Sequence, residues 1–136
     1  QRTRLGRIAS HRHPGDITLF IVDRLDDVDL IGQQIRGVHW RDPKHRRDKR
    51  WIILSRIAQS MVLAHELGHY FSLPHTDDPV SIMNKRKRSE PPYGARRFSK
   101  AEIRRMARFA EQLFNRGYLI PRTGAENHDS TAFPRP

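Results

Sequence analysis

Residues 65–75 read His65-Glu66-Leu67-Gly68-His69-Tyr70-Phe71-Ser72-Leu73-Pro74-His75. Ile57, Met61, Leu63, Ala64, Leu67, Tyr70 and Phe71 recur at helical spacing, which predicts a helix over 57–71. Pro74 stops it. Positions four apart lie on one helix face, one turn apart, so the imidazoles of His65 and His69 stand side by side. Two imidazoles so placed fit two adjacent corners of a zinc tetrahedron. Glu66, next to the first, lies near such a metal without having to ligate it. This arrangement suits water activated at a metal, with a carboxylate to take its proton. His75 follows six residues after His69, past the end of the helix, and Met83 eight residues later, inside Ser81-Ile82-Met83-Asn84.

Upstream of this stretch, Ile17-Thr18-Leu19-Phe20-Ile21-Val22 is apolar and β-branched with little alternation, which predicts a strand buried on both faces. Gln33–Trp40 is a weaker strand candidate, and Trp51-Ile52-Ile53-Leu54 is a strong one. Residues 1–15 read as irregular, ending in the turn signal Pro14-Gly15. Pro74, Pro79, Pro91, Pro92 and Gly94 make 74–98 a long irregular segment, of the kind that usually carries function in a small domain. Ser99 opens a last helix, with Glu102 completing a capping box. Ile103, Met106, Phe109, Ala110, Leu113 and Phe114 form its apolar stripe, and Gly117 its stop. The expected fold class is α/β, of the α+β type: a small twisted mixed sheet on the site helix, an irregular lower half and a C-terminal helix.

The chain has 136 residues, enough for one domain. The expected division is a single domain over 1–121 and a flexible tail over 122–136. Charged residues make up 30%, and the mean hydropathy is −0.78, polar for a globular protein but not disordered in composition. No apolar run approaches the ~20 residues of a membrane span. There is no cysteine, which excludes a disulfide scaffold, a thiolate zinc finger and a cysteine nucleophile. Gln1–Ser10 carries no signal peptide. The net charge of +11 favours anionic partners.

The run from His65 to His75 resembles the long zinc signature of the metzincin metallopeptidases, and Met83 falls where that family has its Met-turn. The interval from the third histidine to the methionine is similar to matrixin spacing, and Thr76 after His75 resembles the pappalysin type. Gly15–Phe20 looks like the strand preceding the edge strand in these enzymes. The resemblance spans about residues 15–115. It implies one zinc held by His65, His69 and His75, Glu66 as general base and acid, endopeptidase activity, and Met83 as a floor beneath the metal. It also implies a substrate cleft, to which Val38, His39 and Tyr93 are assigned, with Gln33–Trp40 as the edge strand that an extended peptide joins. Three positions depart from the family. Ser72 replaces a glycine and must take a left-handed conformation, at a cost of about 1–2 kcal/mol. The usual N-terminal strand and long backing helix have no counterpart in residues 1–14. Lys85 stands where some subfamilies place a tyrosine, which excludes a tyrosine metal ligand there.

Other clusters have plainer readings. Read on their own residues, His11, His13, His39 and His45 are solvated loop histidines, with His39 the one nearest to a role through the resemblance. The Asp23–Asp29 acids leave calcium conceivable, but their spacing fits no EF-hand. Arg41–Arg50 and Lys85–Arg88 lack interleaved aromatics and any nucleic-acid-binding signature, so they read as a basic surface that steers acidic substrate or holds polyanions. The expected function is therefore a monomeric zinc endopeptidase acting on protein or peptide, for which a secreted or periplasmic setting is the natural one. The alternatives are a basic polyanion- or nucleic-acid-binding module with a structural zinc, and a protease held latent by another segment.

Overall fold

A computed structural model describes residue 5 and residues 15–30, 32–41, 49–85 and 91–121. His11, His13, His45, the run Arg86–Arg88 and the tail 122–136 lie outside the described residues.

Strand β3 (Arg50–Ser55) is the centre of the fold. Trp51, Ile52 and Ile53 are each at most 1% exposed, so its run of bulky apolar residues is covered on both faces. Each such side chain stabilises the fold by roughly 1.5–3 kcal/mol relative to an exposed one. Strand β1 (Thr18–Val22) pairs with one edge of β3 in parallel, and β2 (Gly37–Arg41) pairs with the other edge antiparallel. The sheet is mixed, three-stranded, in the order β1-β3-β2. With the two helices among the described residues it makes a small α+β fold.

Helix α1 (Val62–Tyr70) packs over β2 and β3. Ile52 joins Tyr70, Leu113 and Leu119 in the core on that face, with Leu54, Leu63, Leu67 and Phe109 against it. Trp51 and Ile53 point the opposite way, into a second cluster with Leu25, Phe20, Val22 and Val38. Helix α2 (Lys100–Asn115) closes the first cluster through Leu113. Its start is the capping box read from the sequence: Ser99 Oγ accepts from the Glu102 amide, and Glu102 Oε2 accepts from the Ser99 amide.

Four expectations need correction. β1 is not buried on both faces: Leu19 is 40% and Ile21 71% exposed. Its register puts these residues on the α1 side of the sheet, but β1 is an edge strand and α1 packs over the other two. β2 starts at Gly37 rather than Gln33, because Asp27 N donates to Gln33 O and Ile35 N to Leu25 O, which folds 33–35 back on the acidic loop. α1 starts at Val62 rather than Ile57. A turn between Ser55 and Ala58 intervenes, and Ile57 is exposed. The α2 stripe is only half used, since Leu113 is buried while Ile103 and Phe114 remain exposed. The described residues of the span 74–98, namely 74–85 and 91–98, are irregular as expected, with a short 3-10 turn at Tyr93–Ala95. Among the described residues no helix is long and apolar enough to cross a membrane.

Candidate metal centre

His65 and His69 project from one face of α1, and the turn after the helix brings His75 back to them. His75 Nε2 lies 3.1 Å from His69 Nε2 and 3.3 Å from His65 Nε2. The three ligand atoms lie within 4.8 Å of one another. With zinc–nitrogen bonds of about 2.0–2.1 Å, a tetrahedron sets its nitrogens about 3.3 Å apart, so the donor set fits such an ion.

Two of the rings are fixed in the tautomer that metal binding needs. His65 Nδ1 lies 2.8 Å from Ile82 O, and His69 Nδ1 lies 2.8 Å from Leu73 O. A carbonyl only accepts, so each Nδ1 carries the proton and each Nε2 offers a lone pair. Burial, and then the charge of His69, lower the pKa of His65 against the raising effect of its bond to Ile82. His75 is held down at about 4 by loss of water around the ring, and then by His69, His65 and Lys85.

The turn that delivers His75 is a Schellman ending of α1. Leu73 N donates to Gly68 O and Ser72 N to His69 O, with Ser72 at φ 69°. Ser72 thus takes the left-handed conformation expected of it. α2 ends the same way, with Gly117 at φ 70°, Tyr118 N on Leu113 O and Gly117 N on Phe114 O.

Glu66 is buried, and its Oε2 accepts from the His39 amide at 2.6 Å. Burial pushes its carboxyl up to about 7, against the opposing pull of that amide. Gly37 makes the close approach of strand and helix possible: a Cβ there would lie 2.7 Å from Val62 Cγ1 and 3.1 Å from Glu66 Cγ. His39, assigned to the cleft from sequence, lies on β2 with its ring edge-on to Tyr70, centroids 5.7 Å apart. Its Nε2 is buried without a hydrogen-bond partner among the described residues. Burial, then Arg50, His69 and Arg41, hold its pKa down at about 4. Val38 is half-buried on the same strand, and Tyr93 lies in the 3-10 turn.

Met83 is fully buried against α1, and a Cβ at Gly68 would collide with its Sδ. The glycine between the two helical histidines is therefore what admits the methionine. The loop carrying Met83 is braced by groups that sequence reasoning did not single out. Ser81 Oγ donates to Glu102 Oε1 at 2.7 Å and accepts from Met83 N at 3.0 Å. Asn84 Nδ2 donates to Asp78 O, and Arg96 Nη1 donates to Asn84 O. Thr76 N donates to Met83 O, tying the residue after His75 to the same loop. Glu102 was legible as a cap, but its second oxygen serves a residue 21 positions away, which no local pattern reveals. Two of the acids at 23–29 form ion pairs: Asp26 with Arg24, and Asp23 with Arg56 just past the end of β3.

Comparison with models of protein families, with curated proteins and with solved structures finds no match for the chain. The class the site defines is that of a chain with a three-histidine cluster on a helix–turn frame, able to hold a metal ion such as zinc.

Proposed function

We propose that the chain is a zinc-dependent endopeptidase of the metzincin kind, with residues 1–121 as one catalytic domain. In this reading His65, His69 and His75 hold the ion, Glu66 is the catalytic acid and base, and Met83 forms the floor of the site. The observation that carries it is the convergence of three Nε2 atoms, two of them on rings whose Nδ1–H is committed to a backbone carbonyl. A bound zinc supplies a Lewis acid that polarises a carbonyl and makes water nucleophilic near neutral pH.

The chain's own residues do the rest. Glu66, one position from the first histidine, takes a proton on its carboxylate and returns it to the leaving amine. β2 lies at the sheet edge beside α1, where an extended peptide can add a strand, with Val38, His39 and Tyr93 assigned to the cleft. The net charge of +11 favours acidic substrates. A closed structural zinc site takes four protein ligands. The cluster among the described residues has three, which favours catalysis over a polyanion-binding module with a structural zinc.

The test is digestion of a proteome-derived peptide library by the purified protein and by Glu66→Gln, with and without chelator, and with bound zinc quantified. The expected result is cleavage by wild type, abolished by chelator, and a loss of about 10²–10⁴-fold in the variant, with one zinc in each. If both hold zinc and neither cleaves, the structural or latent reading takes its place.

A further inference from the structure

The last four carbonyls of a helix have no partner within it, and the end of α1 sets the position of the third histidine. Three of these carbonyls are met by the turn itself: Leu67 O accepts from Phe71 N, Gly68 O from Leu73 N and His69 O from Ser72 N. The fourth, Tyr70 O, accepts from Arg50 Nη1 at 2.8 Å. Arg50 opens the central strand β3, so this bond ties the helix end directly to the most buried element of the sheet. The guanidinium also lies 5.4 Å from the centroid of the Tyr70 ring and 5.1 Å from that of Phe109 on α2. One side chain thus joins sheet, site helix and C-terminal helix at the point where the chain leaves α1. The placement suits a cation twice over: the C-terminal end of a helix is its negative pole, and a planar guanidinium can stack on rings while its N–H groups donate in the plane.

We propose that Arg50 is a positioning residue of the metal centre, fixing the exit from α1 so that the turn Phe71–Leu73 delivers His75 to the other two histidines. This rests on the reading of the three histidines as a metal site. Arg50 touches no ligand atom in this role. It acts through the Tyr70 carbonyl, which lies between His69 and the left-handed Ser72.

Zinc affinity by competition titration, and the visible absorption of the cobalt(II)-loaded protein, are compared in wild type, Arg50→Met, Arg50→Lys and Phe109→Leu. All are measured at a temperature where thermal melts show each metal-free chain folded. Arg50→Met keeps the apolar stem and loses the donor. Its zinc affinity is expected to fall about tenfold, with a changed cobalt band. Arg50→Lys, which keeps the charge without the planar fork, is expected to fall between Arg50→Met and wild type. Phe109→Leu lowers the melting temperature while leaving the Tyr70 carbonyl capped, so its affinity and cobalt band are expected to match wild type. Wild-type affinity and spectrum in Arg50→Met, or an equal loss in Phe109→Leu, overturn the proposal. If Arg50→Met does not fold, Arg50→Lys decides, and affinity equal to wild type overturns it. Failure of wild type itself to bind zinc overturns the metal-site reading, and the role of Arg50 with it, and is distinguishable from the other outcomes.

Discussion

Ser72 is the residue at which local cost and site geometry meet. Its φ of 69° lies in the left-handed region that glycine occupies freely. Ser72→Gly is expected to stabilise the metal-free protein by about 1 kcal/mol, read from denaturant titrations, because it relieves that strain without touching a ligand. A destabilised variant would show that the serine side chain makes a compensating contact. His39 offers a second test, through pH. Its folded pKa of about 4 lies below the ordinary 6.5, so the folded chain disfavours the proton. The stability this gives is complete above pH 6.5 and is lost as pH falls through 4. His39→Gln is expected to flatten the acid limb of the stability profile between these limits, as measured by thermal melts of chelated protein at stepped pH. An unchanged limb would assign the acid loss to other groups. His65 and His69 were legible as a pair because histidines at i and i+4 stand on one helix face; His75 was expected beside them only through the resemblance, and the turn after the helix brings it there. His39 was harder to place. Nothing in Gly37-Val38-His39-Trp40-Arg41 shows that its amide reaches Glu66 or that its ring lies on Tyr70.

The elements around the site depend on one another through single polar bonds. Glu102 caps α2 with one oxygen and holds Ser81 with the other, while Ser81 holds the amide of Met83. Ile82, between them, supplies the carbonyl that orients His65. Ser81→Ala is therefore expected to leave α2 intact by circular dichroism. It should cost about 1–3 kcal/mol through the buried groups it leaves unpaired, and weaken zinc binding about tenfold. Full retention of zinc affinity would separate this loop from the metal centre. The helices and the central strand were readable from periodicity and capping, as Ser99, Glu102 and Gly117 show. The errors fell where tertiary packing decides. The apolar run of β1 reads as doubly buried, yet its place at the sheet edge exposes Leu19 and Ile21. The helical periodicity running back to Ile57 is interrupted by a turn whose residues carry no strong breaker.

For the molecule as a whole, the three histidines come from α1 and from the segment leaving it, and Thr76, which follows His75, is bonded to Met83. A zinc ion held by the three histidines would join these segments, and its binding free energy would add to folding. With free zinc at 1,000 times its Kd, the gain is expected to be about 4 kcal/mol, read as a fall in melting temperature on chelation and its recovery on adding zinc. A melting temperature indifferent to zinc would detach the cluster from the fold. The charge of +11 was plain from composition, but where it lies relative to the three histidines depends on the fold, and much of the runs Arg41–Arg50 and Lys85–Arg88 lies outside the described residues.

Metal-dependent hydrolysis at this cluster requires three imidazoles and one open position on the ion, which zinc K-edge X-ray absorption of the stoichiometrically loaded protein can read. The expected spectrum fits three imidazole nitrogens and one further light donor at about 2.0–2.1 Å, with the light donor replaced when a small anion is added. Four imidazoles, or a coordination shell that no added anion alters, would contradict it.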